Sequence, residues 1–504
     1  MELKENIKIQ YKALAEELEV PLTRDNFRKY GTYICSTSLI DKLWGSWSNF
    51  TAELNETISK GRGNVNIQKT TSSDKVVITS VTDGTTINKD CLKTLINYAK
   101  QTNSELYILW GEAVKPNTYF SLEDYNLIKP YLCTELTFDK DKSCIATDIH
   151  IKPQARDPLM NLERIFPDSL SHVVVASPKQ YQKMLPYECN KTPRQAWSTG
   201  TISNIDYKPG VNGQLNKDNV TLGGVVAYYN ASLGYYQIRN LVFDGTGIYD
   251  INQYYKKTGT PSFVSSVPAI VLGDLHLPEE DAEAIDASIG LINTCNAEKV
   301  FLHDWCSFNS INHHEENKYL DKILNITPEN ITLDQELTIS TQRLDAIIDD
   351  CPKAQFYIVA SNHDNFVSKW LNEGLFIKDR LNARIGAELF IKCLDYKPIL
   401  EGWLRNEKRV HFMEHKESFE VCGFEVAAHG HEGIAGAKGS VKSFVRTFNK
   451  SVSGHTHSPQ IFESAVVVGT NSELNLPYTG KISNWGQSNV IIHKNGTIQQ
   501  IFCS

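Results

Sequence analysis

Short apolar runs and amphipathic segments alternate along the chain from Pro268 onward. Apolar runs have the length of buried strands, and apolar positions three and four residues apart indicate helices packed on a sheet. The pattern predicts strands at 269–272, 299–302 and 355–360, helices at 280–293 and 365–372, and a long helical insertion to about 350. Strand-rich runs follow at 409–413, 420–428, 450–454, 460–468 and 490–493. An alternating start that passes into antiparallel strands predicts an α/β fold, a layered sandwich with helices outside, over residues 266–504.

A second α/β region precedes this domain. Residues 75–80 and 105–110 are predicted as strands on either side of an amphipathic helix at 89–100. Short strand-rich runs separated by Asn and Gly turns continue to residue 265. We expect an accessory region over 75–265 that packs on the last domain or contributes strands to its sandwich.

The first 62 residues predict a small helical module. Thr23 has the position of an N-cap, and Gly31 is expected to end the helix that follows it. Short helices joined by Gly45-Ser46-Trp47 are compatible with a helix-turn-helix. The polar, glycine-containing stretch 57–74 is predicted to be a linker.

Composition excludes some classes of protein. The 504-residue chain has a formal net charge of −8, so any nucleic-acid contact must come from local patches or metal ions. No apolar stretch approaches the roughly 20 residues of a membrane span, and the charged N-terminus is unlike a secretory signal. Eleven cysteines without a Cys-x-x-Cys pair argue against a disulfide framework or zinc knuckle. We therefore expect a cytoplasmic protein without a membrane partner.

Five short motifs place metal-binding side chains directly after apolar runs. In Val271-Leu272-Gly273-Asp274-Leu275-His276, the Asp and His are two residues apart and point to the same side of a strand end. The others are His303-Asp304, Asn362-His363-Asp364, His429-Gly430-His431 and Gly454-His455-Thr456-His457. Carboxylates and imidazoles at successive strand ends are ligands for a divalent ion. The alternative is a buried polar cluster without metal, but every motif keeps liganding chemistry.

These motifs, in this order, resemble the calcineurin-like metallophosphoesterase superfamily over residues 266–504. The resemblance implies two divalent ions that clamp a phosphate and lower the pKa of a bridging water. It implies that Asp304 bridges the ions. The other implied ligands are Asp274, His276 and His457 for the first ion, and Asn362, His429 and His455 for the second. His363 would be the general acid or transition-state stabiliser, and Asp364 would orient its ring. His303 and His431 would support the ligands from behind.

The sequence departs from the superfamily pattern at three positions. His303 stands where a glycine usually precedes the bridging Asp, and Ser307 stands where a second Asp often follows. Ser361 replaces the glycine before Asn-His. None of these changes removes a ligand, so we expect activity to survive with altered backbone geometry.

Two groups of basic residues predict DNA contacts. Residues 23–54 resemble the helix-turn-helix repeats that accompany homing endonucleases, which implies a DNA-tethering arm; a helical cap or oligomerisation arm is the alternative. Lysines and an arginine spaced by four would form one basic stripe if residues 438–450 are helical, although a solvated helix face would show the same spacing. The residues are Arg24, Arg28, Lys29 and Lys42 in the first group, and Lys438, Lys442, Arg446 and Lys450 in the second.

The metal motifs are similar to those of the nuclease subunit of double-strand-break repair complexes. The whole-chain layout resembles the DNA-transfer proteins of some tailed phages, which are linked to destruction of host DNA. We therefore expect a DNase that uses two divalent ions, manganese or else magnesium, in the host cytoplasm. The dimers among related nucleases imply a homo-oligomer. The alternatives are a phosphatase or cyclic-nucleotide phosphodiesterase, and a DNA-binding regulator with a non-catalytic phosphoesterase scaffold.

Overall fold

The computed structural model describes residues 2–17, 24–31, 33–55, 66–114, 120–312, 332–395, 402–476 and 479–503. Helices and several sheets in these ranges form a mixed α/β protein, which confirms that part of the prediction. The predicted N-cap Thr23 and residues 313–331 of the predicted insertion lie outside the described residues. None of the helices in these ranges combines the length and the apolarity that a bilayer crossing needs.

A six-stranded sheet forms one layer. Its strands, in spatial order, are Val410–Phe412, Gln355–Ile358, Lys299–Leu302, Ala269–Val271, Ser488–Ile492 and Ile498–Phe502. The first four run parallel, and the last two are antiparallel to their neighbours. Because side chains alternate along a strand, Ile270 packs under the outer helices while Ala269 and Val271 face the interior of the sandwich. The outer helices are Ala282–Cys295, Leu333–Asp350, Asp364–Asn372 and Ala383–Leu394.

An eleven-stranded sheet lies across the core from it. Its strands, in spatial order, are Gln68–Thr71, Glu135–Phe138, Cys144–Thr147, His172–Val175, Arg194–Ser198, Gln182–Leu185, Gln460–Phe462, Ala465–Val467, Ser451–Ser453, Phe424–Glu425 and Glu420–Val421. Gln182 pairs with Ile461 in an antiparallel register, so the middle and last parts of the chain share this sheet. The middle region therefore contributes strands to the sandwich.

A five-stranded sheet packs on the same core beside the six-stranded one. Its strands, in order, are Tyr235–Val242, Gly223–Asn230, Lys75–Thr82, Glu105–Gly111 and Leu132–Cys133. Val76 and Ile78 face the sandwich interior, while Val77 packs under the amphipathic helix Lys89–Gln101. Smaller pairings are Gly247–Asp250 with Gln253–Lys256 and Ser262–Phe263, Thr86–Ile87 with Ser203–Asn204, and Tyr187–Glu188 with Ile482–Ser483. Among the described residues after the first 62, the other helical segments are Leu122–Ile128, Leu162–Ile165, Val211–Asp218, Val441–Thr447, Asn309–Ile311, Leu375–Ile377, Glu407–Arg409 and Ile434–Gly436.

The N-terminal helical module has its own core. Its helices are Glu2–Glu17, Arg24–Tyr30, Thr37–Trp44 and Trp47–Asn55, and its buried side chains are Ile7, Leu14, Phe27, Ile40, Trp44 and Phe50. The Ser36 side chain accepts a hydrogen bond from the Leu39 amide and starts the third helix. Gly31 follows the second helix as predicted, and the Phe27 ring lies 2.4 Å from where a Cβ at Gly31 would stand.

Two local predictions were wrong. The predicted linker 57–74 contains the strand Gln68–Thr71, which pairs in parallel with Glu135–Phe138 at the sheet edge. The basic residues at 438–450 do not lie on one helix, because helix Val441–Thr447 holds only two of the four. A Cβ at Gly439 would stand 1.9 Å from the Gly430 carbonyl oxygen, so the chain before the helix is held in a tight turn.

Candidate metal centre

Side chains from both large sheets meet at one edge of the sandwich. Asp274, Asp304 and Asn362 follow three parallel strands of the six-stranded sheet. His429 and His455 follow Phe424–Glu425 and Ser451–Ser453, which run parallel in the eleven-stranded sheet. Because neighbouring parallel strands end at the same edge, the fold delivers these donor groups to one place.

The donor atoms fall into two groups that share Asp304. The first group is Asp274, His276, Asp304 and His457, and the second is Asp304, His429 and His455; ligand atoms within each group lie within 4.8 Å of one another. The Oδ2 atom of Asp304 lies 3.1 Å from Nε2 of His429 and 3.7 Å from Nε2 of His276. The Oδ1 atom of Asn362 lies 3.0 Å from the same nitrogen of His429. The structure thus brings together all seven residues expected as ligands, in a buried cluster that could bind a metal ion.

Several donor atoms of this cluster lack a satisfactory partner within the protein, and a cation would supply one. The Nε2 atoms of His276 and His457 lie 2.8 Å apart, so at most one of them can hold a proton between them. Within the described ranges, the Oδ1 atoms of Asp274 and Asp304 are buried and have no hydrogen-bond partner. Unpaired buried carboxylate oxygens are costly unless a cation meets them.

Gly454 makes this close approach possible. A Cβ at this position would stand 2.2 Å from Oδ1 of Asp274 and 3.0 Å from the Cβ of His303. Only glycine leaves room for the carboxylate beside the chain that supplies His455 and His457. The glycine of the Gly-His-x-His motif is therefore part of the site.

Four expected ligands have left-handed backbone conformations. The φ angles are 52° for His276, 38° for Asp304, 75° for His455 and 53° for His457. Non-glycine residues in this region cost roughly 1–3 kcal/mol each and cluster at functional sites. Hydrogen bonds hold the strained chain, since the His276 amide donates to the Asp304 carbonyl at 2.7 Å and the His455 amide donates to Oδ2 of Asp274 at 2.8 Å.

Burial and mutual charge set the protonation of the cluster. Burial lowers the pKa of His276 to about 3 and that of His455 to about 4, so both rings are neutral, the form that binds metal ions. Burial raises the pKa of Asp304, but the nearby His429 and His363 outweigh it and hold that pKa well below its usual value. The pKa of His429 is raised, because the attraction of Asp304 outweighs burial.

The group that orients the His363 ring is not the expected Asp364 carboxylate. Its Nδ1 lies 2.7 Å from the Ser307 carbonyl oxygen. The Asp364 carboxylate instead accepts hydrogen bonds from Nε1 of Trp305 at 3.2 Å and from the amide and hydroxyl of Ser361 at 3.0 and 3.1 Å. The expectation that Asp364 orients His363 was therefore wrong. Burial and the nearby Asp304 raise the pKa of Asp364 to about 6.

The expected supporting histidines lie against the ligands. Nδ1 of the fully buried His303 is 3.3 Å from Nδ1 of His429, and the His431 ring centroid is 5.5 Å from that of His429. The sequence reasoning missed Trp485, whose ring centroid lies 4.2 Å from that of His457, and treated Ser307 only as a departure from a pattern. Trp485 carries no local signal, because it reaches the site through tertiary packing alone.

The residues predicted to contact DNA are scattered over separate places. Arg24 forms an ion pair with Asp41 inside the helical module, and the Lys29 ammonium lies 4.9 Å from the centroid of the Tyr30 ring. Arg28, Lys29, Lys42, Lys438, Lys442 and Arg446 are exposed. The backbone of Lys438 pairs with that of Glu432 in a short antiparallel β-bridge, so Lys438 lies on the turn that follows His431.

Comparison with known proteins finds a relative in a phage. The chain is 26% identical to Protein A1 of Escherichia phage T5 over 456 residues, which cover 84% of this chain and 80% of that protein. No protein-family model and no solved structure matches the chain. The similarity to a phage protein over most of the chain fits a phage origin.

Proposed function

We propose that this protein is a divalent-metal-dependent DNase that hydrolyses DNA phosphodiester bonds and degrades host DNA during phage infection. The observation that supports it most is the pair of ligand groups that share the buried Asp304. Two-metal sites with a shared carboxylate suit phosphoester hydrolysis, because they clamp both the attacking and leaving oxygens. The resemblance to metallophosphoesterases, and to their nuclease branch, is the second support.

In this proposal each metal-binding residue keeps the role that the resemblance implies. Asp274, His276 and His457 would hold one ion, Asn362, His429 and His455 would hold the other, and Asp304 would be shared between them. When bound, the two ions lower the pKa of a shared water and neutralise charge on the phosphate. Oxygen and imidazole donors suit manganese, and also zinc or iron, so manganese is proposed from the resemblance.

His363 is proposed to act on the leaving oxygen. Because a carbonyl oxygen only accepts, the bond to Ser307 places a proton on Nδ1 and leaves Nε2 to face a substrate. The His363 ring centroid lies 4.7 Å from that of His276, which sets it beside the first ligand group. In its doubly protonated form, Nε2 can donate a proton to the oxygen that departs from phosphorus.

The choice of DNA as substrate has separate support. A phage relative over most of the chain suits an enzyme that attacks host DNA, and the exposed Lys438 lies on the turn after His431, where it can meet a backbone phosphate. The basic residues of the helical module would add contacts farther from the bond that is cut.

The test compares three substrates with manganese, magnesium or chelator: linear duplex DNA, closed-circular duplex DNA and a chromogenic phosphodiester. We expect manganese-dependent loss of linear DNA, abolished by chelator and by Asp304→Asn. If DNA stays intact while the small diester is hydrolysed, the phosphatase or cyclic-nucleotide phosphodiesterase alternative replaces this proposal. Tight DNA binding without any turnover would favour the regulator.

A further inference from the structure

A cleft of about 1000 Å³ lies apart from the metal centre. His457 comes before the strand Gln460–Phe462, whereas Glu463, which lines the cleft, follows that strand. Because a strand rises about 3.3 Å per residue, the cleft lies at the opposite end of this strand from the metal ligands. It therefore forms a separate site.

The cleft is positive in a protein that is negative as a whole. Four cationic side chains line it, against the single carboxylate of Glu463, although the chain has a net charge of −8. The four are Arg156, Lys179, Lys208 and Arg446. Among the described residues, Arg156 is the one of these four with an ion pair to Glu463, at 3.2 Å. In the described ranges, Lys208 and Arg446 are exposed and form no ion pair with any carboxylate, so two unpaired cations line the cleft.

Lys179 is the least expected of these residues. It is 2% exposed, and its Nζ donates a hydrogen bond of 2.6 Å to the Ala155 carbonyl. An ammonium has three donors, and the hydrogen bonds of the described residues use one of them. Burial lowers its pKa to about 8. The nearby Glu463 attracts this ammonium but forms no ion pair with it, so an anion that enters the cleft would satisfy the buried lysine further.

The first turn of helix Val211–Asp218 also lines the cleft and adds donors. Gly210 has φ 136°, and a Cβ at Gly213 would stand 1.9 Å from the Lys208 carbonyl oxygen, so this tight entry needs both glycines. The first amides of a helix lack intrahelical acceptors and attract negative charge. Val211 and Leu215 line the same cleft and are 79% and 54% exposed. The cleft thus combines phosphate-binding donors with apolar surface on which a nucleobase can pack.

We propose that this cleft binds the phosphate groups of a nucleotide chain, as a second nucleic-acid site apart from the metal centre. The volume exceeds what a lone phosphate or carboxylate fills, and four cations that line one cleft suit more than one phosphate. A free nucleotide offers the same chemistry. The choice of a nucleotide chain rests on the proposed function, whereas the binding step needs no metal and no turnover.

The test measures fluorescence anisotropy of a labelled twelve-nucleotide single strand with the full-length protein in chelator. We expect the double variant Lys208→Glu with Arg446→Glu to weaken binding at least tenfold. The matched control is Lys217→Glu, an exposed lysine on helix Val211–Asp218 that does not line the cleft, and we expect less than a threefold change. Unchanged thermal midpoints would show that both variants fold.

Competition identifies the source of the phosphate. Displacement by a second strand but not by thymidine monophosphate assigns the cleft to a strand, and displacement by the mononucleotide assigns it to a free nucleotide. Equal weakening by Lys217→Glu, no weakening by the double variant, or displacement by an acidic peptide alone would overturn the proposal. Because chelator is present, failure of DNA cleavage and failure of this site are separate results.

Discussion

The Nδ1 atom of His363 lies 2.7 Å from the carbonyl oxygen of Ser307. This bond fixes the ring through the main chain, so no side-chain carboxylate is needed to hold it. The chain around Ser307 is fixed in turn by the buried Glu336, which accepts hydrogen bonds from the amides of Asn309 at 2.7 Å and Ser310 at 3.0 Å. The position of the proposed acid therefore depends on a turn that binds no metal itself.

Replacing His363 by Ala should separate catalysis from metal binding. His363 belongs to neither ligand group, so the variant should keep the metal content of the wild type. Loss of a general acid lowers turnover by about 10²–10⁴-fold. Metal content by elemental analysis and turnover of the chromogenic diester check both parts. Loss of metal together with activity would make His363 a ligand and not an acid.

Gly454→Ala should damage the metal centre without unfolding the protein. The new methyl group would meet Oδ1 of Asp274 at 2.2 Å, so the carboxylate must move. We expect at least a tenfold weaker metal affinity by calorimetric titration. Gly290→Ala is the matched control, because nothing lies within 4 Å of its Cβ inside helix Ala282–Cys295. The control should keep its affinity and gain up to about 1 kcal/mol of stability. Equal affinities in the two variants would contradict the close approach at Gly454.

Acid should destabilise the fold through buried histidines such as His172. Burial lowers the pKa of His172 to about 4 from its ordinary 6.5. Between these pH values the unfolded chain binds the extra proton, so stability is full above pH 6.5 and falls as the pH drops toward 4. His172→Phe keeps a ring against Tyr235 and removes the titrating group. The change that this substitution causes in the free energy of unfolding should be about 2 kcal/mol more favourable at pH 5 than at pH 7. Urea unfolding at the two pH values measures this difference, and the same effect at both would refute it.

The buried ion pair of Arg239 and Asp250 should be costly to break. Nε of Arg239 lies 2.7 Å from Oδ1 of Asp250, whose other oxygen accepts from the Tyr98 hydroxyl at 2.8 Å. Arg239→Met leaves a buried carboxylate with fewer partners and should cost about 3–5 kcal/mol in urea unfolding. The double variant with Asp250→Leu should lose less than the sum of the two single changes. Additive losses would mean that the pair does not act as a unit.

The sequence predicted which donor side chains would lie together, because their signals are local. Asp274, Asp304 and Asn362 each follow an apolar run, and a parallel sheet gathers such positions at one edge. The pairing of Gln182 with Ile461 has no local signal, since it joins residues far apart in the chain. The sequence therefore left open whether the middle region packs on the last domain or contributes strands to its sandwich. The sequence likewise does not predict the left-handed backbone at His276 and His457, because tertiary contacts hold it against the residues' own preference.

The errors have the same origin. The spacing of Lys438, Lys442 and Arg446 by four suits a helix, but the contact of Gly439 with the Gly430 carbonyl and the capping bonds of Ser440 start the helix later. Asp364 stands next to His363 in sequence, yet Trp305 and Ser361 provide its hydrogen bonds. In both cases, contacts that the spacing of the residues does not reveal override a local pattern.

The most direct test of the proposed function is manganese-dependent hydrolysis of end-labelled linear duplex DNA by the wild type and by Asp304→Asn, purified in parallel. Asp304 belongs to both ligand groups, so one substitution should disable the whole site. We expect the wild type to release labelled fragments in proportion to enzyme concentration. Its activity should exceed that of the folded variant by at least a thousandfold. Equal cleavage by both proteins, or no cleavage by either at any manganese concentration, would contradict a two-metal DNase.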